Sequence, residues 1–219
     1  MAWAFSSSTG MDGGGSYAAS ISLSYPSVSS GDLLVAVIQQ DSWATTFSSY
    51  PSGWTFLWSA YGNYSGRWWM GYKICTGSES GNATWSWGSS RRYCGSMAHY
   101  TGIDSYDTSS YTDSSLTSPS VTPANADSLV ILMIGGRNAS TAYGVPSGAT
   151  LRREDGDTTY AYLPHVAIAD FNHGASATGT KVWTSAATSS RHGVLSFVAA
   201  PAAGGGGGTN RAHNLLMGI

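Results

Sequence analysis

Charged residues are scarce in this sequence, and their scarcity limits what the chain can bind. They make up 10% of the 219 residues, with 10 Lys and Arg against 12 Asp and Glu and a net charge of −2, whereas soluble domains average about 25%. Such a balance excludes the basic face that DNA- and RNA-binding proteins present. Solubility then depends on hydroxyl and amide side chains, which suits a protein packed into an assembly.

Cysteine and long apolar runs are also scarce. Cys75 and Cys94 are the two cysteines, too few for a disulfide framework or a cysteine metal cluster; we interpret them as buried thiols, with one bridge open if their strands pair. No run approaches the ~20 apolar residues of a membrane helix. Residues 1–6 lack the basic and apolar regions of a signal peptide. We expect neither a membrane partner nor secretion.

Motifs for catalysis and for cofactors are missing as well. The sequence has no Gly-x-Ser-x-Gly elbow, no His-x-x-x-His spacing and no phosphate-binding loop. Its two glutamates, Glu79 and Glu154, fall in predicted turns, and we interpret His99 as a core or edge histidine. We predict a non-enzymatic protein without a metal or cofactor. A hydrolase would need an acid–base pair brought together from distant parts of the chain.

A short apolar run occurs twice, and the motifs around it recur. Asp32 precedes the run 33–38, and Asp127 comes just before a second run, 129–134. Pro-Ser-Val precedes each run and Pro-Ser-Gly-x-Thr follows it, at offsets of 119 − 26 = 93, 127 − 32 = 95 and 146 − 51 = 95. This order predicts two diverged copies of one β unit, with equivalent aspartates that cap turns. The first run does not alternate, so we expect both faces of its strand to be covered.

Strand-forming and turn-forming residues dominate the rest of the chain. Trp, Tyr, Thr and Val favour strands, Gly and Ser supply turns, and no segment has a helical period. We predict an all-β antiparallel sandwich, jelly-roll-like, built from two pseudo-repeated halves; two tandem Ig-like units are the alternative. Trp54, Phe56 and Trp58 are expected on one face of a strand, and Trp85 is expected to correspond to Trp183.

The repeat divides the chain into an arm, a sandwich and a tail. We predict an N-terminal arm at 1–16, a sandwich at 17–200 with pseudo-repeats 17–103 and 118–199, and a polar crossing connection at 104–118. Residues 201–219 are predicted to be a Gly-rich tether and docking tail, because the five consecutive glycines 204–208 have high conformational entropy. The predicted partner-binding residues follow these glycines and end in an apolar tip: Arg211, His213, Asn214, Leu215, Leu216, Met217 and Ile219.

Tyrosine and tryptophan residues in predicted loops are further candidates for binding. Loop Tyr and Trp are favoured at protein interfaces, and their rings also stack on sugars. Some of them are expected to cover the ends of the sandwich instead. The candidates are Trp43, Tyr50, Tyr61, Tyr64, Tyr106, Tyr111 and Tyr143.

Three motifs carry a resemblance to a known group of proteins. The pattern Gly-Asp-Leu-Leu-Val at 31–35, Pro-Ser-Gly-Trp-Thr at 51–55 and an aromatic strand ending in Tyr72-Lys73-Ile74 resembles β-sandwich virion proteins of tailed bacteriophages. The stretch 209–219 is similar to the tail ends of such proteins. The resemblance covers residues 17–199 and the tail, and it carries no catalytic residues. It implies a virion protein assembled in the host cytoplasm, as a capsid decoration (cement) protein, head fibre or tail component.

Two binding hypotheses follow. In the first, the chain binds a major capsid protein or another virion protein through its termini and loop aromatics, as a homo-oligomer such as a dimer or trimer. In the second, it is a carbohydrate- or receptor-binding module of a phage fibre or cell-surface protein, with Trp43 and Tyr61 as platforms for a glycan. Neither hypothesis includes a nucleic acid or a membrane.

Overall fold

Fourteen β-strands form the regular structure of the described residues. The computed structural model describes residues 3–13, 16–42, 44–62, 66–113, 115–138, 142–156, 163–185 and 192–202, with 59–62 and 138 described by backbone alone. The strands are β1 (Ala4–Asp12), β2 (Ala18–Ser24), β3 (Ser30–Gln40), β4 (Thr55–Gly62), β5 (Gly66–Thr76), β6 (Asn82–Arg91), β7 (Tyr93–Thr101), β8 (Ile103–Asp113), β9 (Thr117–Ser118), β10 (Ser128–Asn138), β11 (Thr150–Gly156), β12 (Leu163–His173), β13 (Lys181–Val182) and β14 (His192–Pro201). The predicted all-β fold is confirmed, and the jelly-roll connectivity stays a prediction.

The strands form two five-stranded and two two-stranded antiparallel sheets. The first large sheet has the order β1-β7-β3-β5-β4, and the second has the order β8-β14-β10-β12-β11. When strands are counted within the halves β1–β7 and β8–β14, both orders read first, seventh, third, fifth, fourth. The small sheets, β2-β6 and β9-β13, join the second and sixth strands of each half. This shared order supports the predicted duplication.

The repeated apolar runs are the central strands of the two large sheets. In β3 the odd-numbered residues of 33–38 lie in a central core, which also receives the odd-numbered residues of 129–134 in β10. The even-numbered residues of each run lie in a separate outer core of their own half. Both faces of β3 are therefore covered, as its lack of alternation predicts.

The molecule consequently has four layers, because each large sheet packs against the other and against its own small sheet. The central core lies between the two large sheets, and each outer core lies between one large sheet and the small sheet of the same half. Trp85 and Trp183 are fully buried in the two outer cores, which confirms their predicted correspondence. Burial of apolar area, at about 25 cal/mol per Å², is what holds such layers together.

The register of the central strands corrects one sequence prediction. Leu33 and Leu129 are the first central-core residues of their strands, an offset of 129 − 33 = 96. Asp127, with φ 60°, therefore corresponds to Gly31, with φ 90°, and Asp32 corresponds to Ser128. The prediction of equivalent aspartates is wrong by one residue, because the turn before each strand needs a residue with positive φ, which is a glycine in the first half and an aspartate in the second.

Each edge strand of the large sheets carries a β-bulge, and the bulges recur at matching positions. Ser6 in β1 matches Asp107 in β8, and Leu57 in β4 matches Arg152 in β11. Bulges at edges discourage pairing with other chains. The bulge in β4 also places Phe56 and the next tryptophan, at 58, on opposite sides of the sheet, so the expectation of one shared aromatic face is wrong.

Two segments predicted outside the repeat contribute edge strands. Residues 4–12 of the predicted N-terminal arm form β1, paired with β7. Residues 104–113 of the predicted crossing connection belong to β8, paired with β14. Both strands are rich in Ser, Thr and Asp because much of their surface is exposed, so they lack the aliphatic alternation of the inner strands.

The space between the two large sheets is bordered on two sides by their edge strands. On the β4/β8 side, β4 of the first sheet contacts β8 of the second; on the β1/β11 side, β1 contacts β11. The duplication relates these sides, because β4 is the counterpart of β11 and β8 is the counterpart of β1. Where the side chains of the two sides differ, the fold can therefore form without the residue types that are found on one side only.

Candidate functional site

Many of the residues predicted to bind partners lie outside the described part of the chain. These are Trp43, Tyr64 and the whole set Arg211, His213, Asn214, Leu215, Leu216, Met217 and Ile219. The predicted docking tail therefore stays a prediction.

The remaining candidate aromatics fall in several environments. Tyr50 lies before β4, is 51% exposed and has its ring centroid 6.0 Å from that of Trp69, as expected of a loop aromatic. Tyr61 lies in β4 rather than in a loop. Tyr143 lies in a loop but is buried, so its predicted exposure is wrong.

Tyr106 and Tyr111 lie in strand β8 and close the β4/β8 side. Tyr111 stacks on Trp58 with ring centroids 4.9 Å apart and planes at 25°. Tyr106 stacks on Tyr72 at 5.3 Å and 16°, and its ring also contacts Phe197. Tyr111 is 56% exposed and Tyr106 is 37% exposed, so each covers the central core with one ring face. They are exposed, as predicted, but on a strand rather than in a loop.

The β1/β11 side is closed by arginine–carboxylate pairs. Arg152 donates to Asp170 through Nε and Nη2 at 2.7 and 2.9 Å, and its guanidinium lies 4.7 Å from the ring centroid of Phe5. Arg153 donates to Asp155 at 2.7 and 2.6 Å. Bidentate pairs of this kind are strong and directional. Both arginines thus bind buried carboxylates.

Asp155 also connects the two large sheets. Its Oδ2 accepts a hydrogen bond of 2.6 Å from Ser96 in β7, and a side chain on Gly10 of β1 would overlap Oδ2. The residue lies in β11 next to Glu154 and is 7% exposed, so the prediction that Glu154 falls in a turn is wrong. Three hydrogen-bond donors, one on Ser96 and two on Arg153, account for the burial of this carboxylate.

A serine, a histidine and an aspartate meet between β1, β7 and β3. His99 Nε2 lies 2.9 Å from Asp32 Oδ2, and Ser7 Oγ lies 3.4 Å from His99 Nδ1. Asp32 also accepts the Ser29 N–H at 2.7 Å, so its predicted turn-capping role is confirmed. The Ser–His separation exceeds the ~2.6–3.2 Å expected of a nucleophile and its base, and His99 is 3% exposed. The group joins three strands, and His99 is the core histidine that the sequence predicts.

A second polar cluster lies in the outer core of the second half. His165 Nε2 lies 2.7 Å from Glu154 Oε1, and His192 Nδ1 lies 3.0 Å from Tyr143 Oη. Burial, with a smaller contribution from His165, lowers the pKa of His192 from 6.5 to about 4. The His192 ring is therefore uncharged at neutral pH, and its hydrogen bond to the Tyr143 hydroxyl joins two neutral groups. The sequence does not reveal this cluster because its four members lie on the loop before β11 and on β11, β12 and β14.

Cys75 and Cys94 are free, buried thiols, as interpreted from the sequence. Cys75 lies in the outer core of the first half and Cys94 in the central core, on opposite faces of the first sheet. Burial raises the pKa of Cys75 to about 12 and raises the pKa of Cys94 well above 9.0. Both thiols therefore stay protonated at neutral pH and pack as small apolar groups.

The described part of the chain holds no group of three or more His, Cys, Asp or Glu side chains arranged to bind a metal. Among the same residues there is also no helix long and apolar enough to cross a membrane. No protein-family model, no curated protein and no solved structure matches the chain. The residues themselves are thus the basis for assigning a site, and the exposed Tyr106 and Tyr111 of the β4/β8 side, each stacked on an inner ring, are the best candidate.

Proposed function

We propose that the chain is a non-enzymatic structural protein of a virion, which binds neighbouring capsid or tail subunits as a decoration protein. The observation that carries the proposal is the division of roles among side chains. Two histidines and two arginines pair with carboxylates inside the fold, whereas aromatic rings remain exposed at strand edges. Exposed aromatics with internally paired charges suit recognition of a surface rather than catalysis.

The sequence motifs add support for the virion setting. The Gly-Asp-Leu-Leu-Val motif at 31–35 and the Pro-Ser-Gly-Trp-Thr motif at 51–55 resemble those of tailed-phage β-sandwich proteins, and such proteins act in symmetric assemblies. We propose that the tail 204–219 is the anchor, with its apolar tip 215–217 seated on a capsid or tail subunit. The sandwich would then be displayed on the particle, as a dimer or trimer.

Deletion of residues 204–219 tests this function. In particles of the virus that encodes the chain, the full protein is expected in the purified particle by mass spectrometry and the deletion variant is expected to be lost. The variant should retain the unfolding midpoint of the full chain, since all described strands end by Pro201. Absence of the full protein from particles, or equal incorporation of the deletion variant, would refute the proposal.

A second candidate function is glycan binding, favoured by one specific observation. Tyr106 and Tyr111 present partly exposed rings on a single strand, each backed by another aromatic ring. Rings held in this way are suited to stacking on the apolar faces of sugars. This candidate is compatible with particle attachment, because the tail and the β4/β8 side are separate parts of the chain.

A further inference from the structure

We propose that the β4/β8 side binds a neutral oligosaccharide, with Tyr111 and Tyr106 as its two stacking platforms. The inference rests on the glycan-binding candidate above and assigns it a site. It replaces the loop positions Trp43 and Tyr61 suggested by the sequence with two strand residues. Four properties support it: the exposure of the rings, their support, their spacing and the chemistry of the residue between them.

One face of each platform ring is held by an inner aromatic residue, and the remaining ring surface provides the exposure. Trp58 is 6% exposed and supports Tyr111, which is 56% exposed. Tyr72 supports Tyr106, whose hydroxyl lies 3.1 Å from Ser109 Oγ. Sugar stacking requires an accessible ring face, and a ring already fixed in position loses little entropy when a ligand binds. Both conditions are met at Tyr111 and, with less exposure, at Tyr106.

The spacing of the two rings suits an extended ligand. Tyr106 pairs with Ala199 and Tyr111 pairs with Leu195, so the rings stand 199 − 195 = 4 residues apart along β14. This corresponds to ~13 Å at about 3.3 Å per residue. Ser109 pairs with Phe197, midway between these positions, and so places a hydroxyl group on the same face. Two rings with a hydroxyl between them match a short chain of sugars.

Addition of a peptide strand is a poorer fit to this edge. The bulge at Asp107 interrupts the β8 edge, and bulged edges discourage strand pairing. The Asp107 carboxylate also accepts the Ala124 N–H at 2.8 Å, which brings another segment of the chain to this edge. Recognition by ring faces is therefore favoured over recognition by main-chain hydrogen bonds.

The related β1/β11 side indicates that the Tyr111–Trp58 ring pair is not a requirement of the fold, whereas Phe5 stands at the register of Tyr106. There the counterparts of Tyr111 and Trp58 are Gly10 and Arg153, and the side is closed by arginine–carboxylate pairs. The same architecture is thus stable with either chemistry. Exposed tyrosines on one side alone favour a ligand with apolar faces and no net charge.

Binding of the full-length protein to an array of neutral di- to hexasaccharides, built from glucose, mannose, galactose and N-acetylglucosamine, tests the inference. Oligosaccharides that bind are then titrated by calorimetry against Tyr111→Ala, Tyr106→Ala and Tyr111→Phe. We expect each alanine variant to bind about tenfold more weakly, because it loses one ring contact. Tyr111→Phe keeps the ring and should bind nearly as tightly as the parent protein.

Tyr50→Ala is the matched control, because Tyr50 is similarly exposed but packs near Trp69 rather than at this side. It should bind as the parent does, and unfolding curves confirm that each variant is folded. Binding that survives both Tyr111→Ala and Tyr106→Ala would overturn the site and leave glycan binding intact. No binding to any neutral oligosaccharide would overturn both, while the tail-deletion experiment would still test attachment to particles.

Discussion

Tyr111 stacks on Trp58 across the β4/β8 side, whereas the residues at the same register on the β1/β11 side are Gly10 and Arg153. The first pair closes the central core with rings. In the second pair, Gly10 has no side chain and so leaves room for the Arg153 guanidinium and for the Asp155 carboxylate that it binds. One duplicated architecture therefore has two kinds of edge, one closed by stacked rings and the other by arginine–carboxylate pairs.

The inner ring of the aromatic pair should matter more for stability than the outer ring. Trp58 is 6% exposed and packs near Trp68, so Trp58→Ala should lower the free energy of unfolding by about 3–5 kcal/mol. Tyr111→Ala removes a largely exposed ring and should cost about 1 kcal/mol. Urea unfolding followed by far-UV circular dichroism measures both. Equal costs would mean that Tyr111 is a core residue and not a platform.

Gly10 should be intolerant of a side chain. A Cβ there would overlap Asp155 Oδ2 and lie 2.7 Å from Arg153 Nε, and both groups are fixed by their mutual hydrogen bonds. Gly10→Ala should therefore destabilise the protein by about 1–3 kcal/mol, measured by thermal or urea unfolding.

Gly88→Ala is the control for this substitution. Gly88 lies in strand β6, and a Cβ added to it would meet no other group within 4 Å. Alanine should therefore be neutral or slightly stabilising there. If Gly10→Ala were as well tolerated as Gly88→Ala, the close approach of β1 to the Asp155 pair would be wrong.

The Asp32–His99 pair should behave as a coupled unit that an apolar pair can replace. Their counterparts in the second half are Ser128 and Val198, which occupy the same register. His99→Val alone leaves a buried carboxylate without its partner and should cost about 1–3 kcal/mol. Adding Asp32→Ser should recover part of that cost, because it removes the unpaired carboxylate.

A double-mutant cycle in urea unfolding measures this coupling. The double variant should be less destabilised than the sum of the two single variants. Additive costs would show that the 2.9 Å contact contributes nothing specific. Loss of a hydrolytic activity in Ser7→Ala would instead show that the group is catalytic and would contradict the non-enzymatic function.

The buried His192 should make stability depend on pH. Its pKa is lowered from 6.5 to about 4 in the folded protein, so the unfolded chain binds the proton more readily. Stability should therefore fall as pH drops from about 6.5 towards about 4, by on the order of 3 kcal/mol. Urea unfolding at a series of pH values measures this slope.

His192→Asn isolates the contribution of this residue, since the asparagine amide can still form a hydrogen bond with the Tyr143 hydroxyl but does not titrate. Glu154, His165 and Tyr143 face the same position and are unchanged in the variant. The slope between pH 6.5 and pH 4 should be shallower in the variant. An unchanged slope would mean that other groups account for the acid sensitivity.

The sequence is informative about the inner strands and uninformative about the edges. The repeated apolar runs, their two covered faces and the match of Trp85 with Trp183 follow from side-chain burial, which residue type reflects directly. The strand character of β8 was missed because exposed edge strands tolerate Ser, Thr and Asp. The β-bulge at Leu57 was missed because a single inserted residue changes which face Trp58 covers without altering the local composition.

The candidate site could be predicted only in part, because its contacts join residues that are distant in sequence. The sequence predicts the exposure of Tyr106 and Tyr111, but their aromatic partners come from β4 and β5, distant in sequence. The pairing of Arg152 with Asp170 likewise depends on the alignment of β11 with β12. Contacts set by register between strands leave no local pattern, so reasoning from one sequence cannot find them.

Hydrogen exchange in the Leu34→Ala variant tests most directly whether the two halves form one cooperative unit around a shared core. Leu34 is fully buried in the outer core of the first half, and its truncation should cost about 3 kcal/mol. If the central core unites the halves, the opening free energies of the slowest amides in β3 and in β10 should fall by the same amount. Weakening of β3 with β10 unchanged would mean two independent domains and would contradict a shared core.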